Sequence, residues 1–423
     1  MAVSVTEKES LDYHKFPIPG KLGIVTTVPF STQKDLSLAY TPGVAYPCLE
    51  IAKNPSKAYE YTNKSNTVAV ISNGTAVLGL GDIGALASKP VMEGKAILFK
   101  NFSSLNSFDI EVDEKDVDKF CEIVKAISGG FGGINLEDIK APECFEIEAR
   151  LIRELDIPVM HDDQHGTAII SSAAMLNACE LTNRKVKDIK VVIVGAGASA
   201  LSCAKIYQEF GVKNIIIIDS KGVIHKQRDD LNPYKEKFAI DKAISKNDAF
   251  RNADMVLGLS APGTFDKTHV ALMSDEPIVF TLANPTPELF PDEVRSVKDN
   301  AVIATGRSDF ENQVNNVLGF PFIFRGALDV NAKAINMQMK KAAALALANL
   351  AKEDTPKEVC EIYGRDLNYG KDYIIPTPFD KRLLPIVSAA VAQAAVDSKV
   401  ARVKHFDKEK YIKGLEALSN PLS

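Results

Sequence analysis

No stretch of this 423-residue sequence is apolar for the roughly 18 residues that a membrane-spanning helix needs. The nearest candidate, residues 191–204, is interrupted by Gly195 and Gly197. Basic residues are not in excess. Lys and Arg number 50 against 55 Asp and Glu, and the net charge of -5 argues against a nucleic-acid or anionic-membrane partner. Cysteine is sparse: Cys48, Cys121, Cys144, Cys179, Cys203 and Cys360 are scattered, with no C-x-x-C pair. They read as buried small residues in a reducing compartment. Residues 1–10 carry three charges and no apolar segment, unlike a secretory leader, so the expected location is cytoplasmic. Repeats and low-complexity blocks are also missing. What remains is an ordinary globular composition, 46% hydrophobic and 25% charged, at a length that suggests two or three domains.

Apolar runs at 191–194, 215–218, 255–259, 278–282 and 302–304 each end in loop residues and alternate with helix-like segments. Such runs suit strands buried on both faces, and their repetition predicts a Rossmann-like, doubly wound parallel sheet over residues 161–385. Residues 1–160 carry most of the remaining loop chemistry and predict a separate α/β domain. The Ala- and Val-rich tail, residues 386–423, predicts helix packing back on a neighbour.

Two G-x-G-x-x-G/A fingerprints occur, at 79–84 and at Gly195-Ala196-Gly197-Ala198-Ser199-Ala200. The second follows a buried strand and opens a helix, and the next strand ends in Asp219, near where an acid meets a ribose hydroxyl. It is assigned the dinucleotide, whose pyrophosphate the glycines and the helix N-terminus accommodate. The first shapes a turn beside a substrate site. Asp219 suits NAD, whereas Ser220 and Lys221 offer a hydroxyl and a cation to the 2′-phosphate of NADP. Both cofactors stay open.

Two acidic doublets, Glu137-Asp138 and Asp162-Asp163, each follow an apolar run. Converging on one ion, they would suit Mg or Mn; apart, they are solvated loop acids or helix caps. His161 and His165, four apart, allow a zinc reading that lacks a third soft ligand. Ser88 and Pro90 suggest a helix start, placing Lys95 about one turn in, either as a surface lysine or as a base. Tyr40, before Thr41-Pro42-Gly43, is either a core tyrosine or a hydroxyl presented to a cleft.

These blocks, together with Asn284-Pro285-Thr286-Pro287-Glu288 and Gln313-Val314-Asn315-Asn316, resemble the malic enzyme family in its short bacterial form, over nearly the whole chain. The resemblance implies metal-dependent oxidation and decarboxylation of L-malate to pyruvate and CO2, with NAD or NADP as hydride acceptor. It implies Glu137, Asp138 and Asp163 as metal ligands, Lys95 as general base, Tyr40 as general acid and Asp162 beside the lysine. Asn284 and Asn316 would reach substrate or nicotinamide, and a homodimer is expected. Larger eukaryotic members carry an arginine that grips malate where this chain has Ala76, so the group holding the distal carboxylate is open. The rivals are a malolactic enzyme releasing lactate and a non-catalytic dinucleotide sensor.

Overall fold

The computed structural model describes residues 5–77 and 79–419, the last in its backbone only. Residues 1–4 of the leader comparison, Leu78 in the first glycine block and residues 420–423 of the tail lie outside the described residues.

The first sheet is all parallel. Its strands are β1 (Thr67–Ser72), β2 (Asn106–Glu111), β3 (Gly133–Leu136) and β4 (Val159–His161), in the order β2-β1-β3-β4. The second holds β5 (Lys190–Val194), β6 (Asn214–Asp219), β7 (Gly222–Val223), β8 (Met255–Gly258), β9 (Ile278–Thr281) and β10 (Val302–Thr305). Its order is β10-β9-β8-β5-β6-β7, parallel except for the short edge strand β7. The β-branched runs Val191–Val194 and Ile215–Ile218 are buried on both faces, as the sequence predicts. The order reverses between β6 and β8 around β5, which opens a crevice at the carboxyl end of β5.

Helix Asp162–Leu181 leaves β4 and packs along helix Ala198–Glu209 of the second sheet. It is buried nearly all round, so it acts as a beam between the halves rather than a surface helix. Its Asn177 amide donates to the carbonyls of Ala348 at 2.8 Å and Ile374 at 2.9 Å, satisfying buried groups of the carboxyl-terminal part. One apolar cluster joins Val68 and Phe99 of the first half to Val191, Phe320 and Val387 of the second. Phe99 meets Phe320 and Phe324 edge-on, with ring centres 4.8 and 5.4 Å apart. The carboxyl-terminal helix Leu383–Asp397 packs back as expected, against helix Phe320–Asp329.

Two expectations need correction. Helix Ala85–Ser103 begins at Gly84, whose φ of 86° only glycine adopts easily, and not at Ser88; Pro90 lies inside the helix. Cys48 is exposed and Cys360 half-buried, whereas the other four cysteines are buried, and all six are free thiols. The segment before β1 is no compact layer: helices Glu7–Lys15, Gln33–Ala39 and Ala45–Lys53 bury no residue. Ile24, Val25 and Tyr46 of this arm are 88%, 78% and 74% exposed. Among the described residues, no helix is long and apolar enough to cross a membrane.

The contact between helices Phe320–Asp329 and Leu383–Asp397 depends on Gly326, where a Cβ would sit 2.4 Å from the Ser388 carbonyl oxygen. Gly326→Val should cost on the order of 1–3 kcal/mol by overpacking. A lower thermal midpoint in circular dichroism tests this; an unchanged midpoint would show the helices can separate freely.

Candidate active site

Both sheets direct strand ends at one cleft of about 1080 Å³. β3 ends at Leu136 and delivers Glu137 and Asp138; β4 ends at His161 and delivers Asp162 and Asp163 into the first turn of the beam helix, where the helix dipole favours anions. Asp138 adopts a left-handed φ of 53°, and its N–H donates to Asp163 Oδ2 at 2.7 Å. Carboxylate oxygens of Glu137, Asp138 and Asp163 thereby lie within 4.8 Å of one another. Burial pushes the Glu137 carboxyl well above the usual range, and the neighbouring acids add to it. Asp162 Oδ1 is buried without a hydrogen-bond partner. An all-oxygen, crowded acidic set of this kind fits a hard dication, whose charge would relieve the crowding.

The zinc alternative fails on the same geometry. His161 Nδ1 accepts from the Gln164 N–H at 3.3 Å, and His165 Nε2 lies 3.0 Å from Glu148. Glu148 also accepts from the His161 N–H at 2.9 Å. Burial opposes the Glu148 charge, yet His165, Lys340 and His161 together outweigh it and bring the carboxyl down to about 2. Both rings brace β4 and the helix start, and among the described residues neither belongs to the metal-compatible set.

Lys95 is no surface lysine. Its Nζ lies 2.8 Å from Glu137 Oε1, 2.7 Å from Asp162 Oδ2 and 4.3 Å from the Phe320 ring centre. Burial disfavours its charge, but Asp162 and Glu137 together hold the ammonium above the usual lysine range. Asn316 donates to Asp162 Oδ2 at 3.2 Å and accepts from Thr167 at 2.9 Å, so two further side chains fix the carboxylate that grips the lysine. Asn284 lines the same cleft, opposite the first glycine turn: a Cβ on Gly79 would lie 3.3 Å from its carbonyl oxygen.

The second glycine turn forms the other wall. Gly195 has φ 120°, and a Cβ there would stand 2.3 Å from the Leu259 carbonyl oxygen, so no larger residue fits. A Cβ on Gly197 would meet open space at the start of helix Ala198–Glu209. That opening, beside unpaired helix-terminal N–H groups, fits a pyrophosphate. Ala198 and Ser199 continue the wall, Ala196 of the expected set does not line it, and the Ser199 hydroxyl donates to the Asp163 carbonyl. Asp219 ends β6, with exposed Ser220 and Lys221 following. Its carboxylate is already engaged: Arg228 and Lys235 both bond it. Burial raises its pKa, but the bonds from Arg228, Lys235 and the Lys221 N–H together bring it to about 2.

Tyr40 is not brought to this cleft within one protomer. It caps helix Gln33–Ala39, is 69% exposed and is absent from the lining. Ala76 does line the cleft, and the cations there besides Lys95 are Lys21 and Lys140. Sequence reasoning missed Thr167, Phe320, Arg228 and Lys235. None has a local motif, because each acts on a residue distant along the chain or in a separate loop.

With this geometry in view, comparison with known proteins is direct. Residues 19–152 match the family model "Malic enzyme, N-terminal domain" and residues 164–364 match "Malic enzyme, NAD binding domain". An NADP-dependent malic enzyme of Halomonas elongata is 55% identical over 93% of this chain and 94% of its own. One of Escherichia coli is 52% identical over 96% of this chain. The chain spans about half the length of that relative and of several other curated relatives it matches. The crystal structure of malic enzyme from Pyrococcus horikoshii superposes with a TM-score of 0.89 at 40% identity, covering 98% of this chain and 97% of that one. The chain belongs to the malic enzyme family.

Asp163→Asn should weaken Mn binding at least about 100-fold, because even residues that only support a ligand cost 10–100-fold. Direct Mn titration checks this, with circular dichroism confirming the fold. Unchanged affinity would remove Asp163 from the metal set.

Proposed function

We propose that this chain oxidises and decarboxylates L-malate to pyruvate and CO2, using NAD or NADP with Mg or Mn. The observation that carries the reading is one cleft in which Gly197, Ala198 and Ser199 of the glycine turn, the acids Glu137, Asp138 and Asp163, and the clamped Lys95 share walls. When bound, the dication supplies Lewis-acid stabilisation of developing enolate charge and the dinucleotide accepts hydride.

The chain's own residues do the rest. Glu137, Asp138 and Asp163 hold the ion. Once a dication held by the neighbouring acids disfavours its ammonium form and that proton has left to solvent, neutral Lys95 would take the proton of the malate hydroxyl, and Asp162 fixes the lysine's position through its 2.7 Å contact. Asn284 and Asn316 orient substrate and nicotinamide. Tyr40 returns a proton to carbon in the enolpyruvate product. Since Tyr40 lies outside the cleft of its own protomer, this role requires the exposed amino-terminal arm to meet a second copy, consistent with a homodimer. The domain division is taken at 160/161 and 385/386, and the cytoplasm as the compartment.

Malate, Mn and either dinucleotide should yield pyruvate and reduced cofactor in equal amounts; lactate without reduced cofactor would establish malolactic chemistry instead. Lys95→Ala should slow malate oxidation at least about 100-fold. Tyr40→Phe should permit oxidation and decarboxylation but slow deuterium entry into the pyruvate methyl group. Mixed dimers of the two variants should regain activity. Full oxidation by Lys95→Ala, or normal protonation by Tyr40→Phe, would reverse these roles.

A further inference from the structure

Malate is a dianion, and the cleft is short of positive charge for it. Glu137, Asp138, Asp162 and Asp163 bring four carboxylates, and Lys95 is already clamped by two of them. Even with a dication held there, four negative charges face three positive ones. A substrate carboxylate that does not touch the ion therefore needs a cation of its own. Position 76, where the resemblance to larger eukaryotic members would place an arginine, offers only the methyl group of alanine.

The neighbouring turn supplies a cation instead. β1 and β3 are adjacent strands, and the segments that follow them are tied together. The Ala76 N–H donates to the Asp138 carbonyl at 3.0 Å, and the Lys140 N–H donates to the Thr75 hydroxyl at 3.0 Å. That hydroxyl in turn donates to Asn73 at 2.7 Å. Position 140 is thereby pinned beside position 76, and both line the cleft. Lys140 also follows Asp138 of the metal set by two residues, so their Cα atoms are at most about 7 Å apart. A long side chain from there spans to the far end of a four-carbon acid held at the ion.

The other lysines of the lining are committed elsewhere. Lys95 is held by Glu137 and Asp162, and Lys21 Nζ donates to the Pro90 carbonyl at 2.8 Å. Pro90 precedes Lys95 by five residues on the same helix, about 7.5 Å along its axis. Lys140 Nζ pairs loosely, 3.4 Å from Glu143, with its side chain 45% exposed. An ion pair so exposed is worth little, so the ammonium is free to turn to a stronger acceptor. We infer that Lys140 holds the distal carboxylate of malate, a cation at position 140 serving where larger relatives place one at position 76. This rests on the malate site proposed above. One short turn then sets both ends of the substrate, Asp138 through the ion and Lys140 through the carboxylate.

The test is calorimetric titration of L-malate and L-lactate into the full chain loaded with Mn and free of dinucleotide, so that nothing turns over. L-Lactate keeps the hydroxyl and adjacent carboxylate that meet the ion and lacks the distal carboxylate. Lys140→Ala should weaken malate at least about tenfold, the scale of one lost charge-assisted hydrogen bond, and change lactate less than about twofold. Lys140→Arg should keep malate binding, and adding Ala76→Arg to Lys140→Ala should restore it. Malate affinity unchanged in Lys140→Ala, or equal losses for malate and lactate, overturns the inference while the malate site stands. Where lactate binds too weakly to measure, the double variant decides: failure of Ala76→Arg to restore malate overturns the inference. A larger loss from Lys21→Ala than from Lys140→Ala also overturns it. A wild-type chain loaded with Mn that binds no malate overturns the malate site as well.

Discussion

The structure depends on one buried ammonium. Lys95 Nζ touches Glu137 just past the end of β3 and Asp162 at the start of the beam helix. Without that cation, several carboxylates would be confined together in a buried wall at a cost of several kcal/mol per uncompensated charge. With it, the acids stay close enough to share an ion, and the lysine stays where a substrate hydroxyl would meet it. Phe320 under the ammonium excludes water from one side. Positioning and charge balance are thus served by the same contacts.

The beam helix spreads this arrangement to the dinucleotide wall. Asp163 presents its carboxylate to the metal set and its carbonyl to the Ser199 hydroxyl. Metal side and cofactor side are therefore held in register through a single residue. The arm before β1 meets the helix that carries Lys95 through Lys21, whose N–H donates to Glu93 at 3.1 Å and whose Nζ donates to the Pro90 carbonyl at 2.8 Å. Its capping boxes, Thr6 with Glu9 and Thr32 with Asp35, stabilise local helices whose apolar faces remain uncovered.

Much of this was legible beforehand. The strands of the second sheet announced themselves as continuous β-branched runs, and the glycine turn at 195 stood between one such run and a helix. The acids were legible as doublets after apolar runs, although only the fold brings them within bonding range. The start of helix Ala85–Ser103 was not legible, because glycine caps it by conformation and leaves no side-chain signal. Asp219 was found but its partners were not: strand-end position marks an acid, yet says nothing of the cations that loops carry back to it. The position of Tyr40 was equally out of reach, since a turn sequence does not specify which cleft, or whose, it faces.

The shared apolar cluster has a mechanical consequence. Val68 and Val191 belong to different sheets but to one packed interior, bridged by Phe99, Phe320 and Phe324. No solvated linker separates the halves at the cleft floor. Dense interiors shift between discrete packings rather than bend continuously. Any change in the relation of the two halves at the cleft floor must then repack Phe99, Phe320 and Phe324 together, which couples the metal-compatible acids to the glycine turn through the same interior.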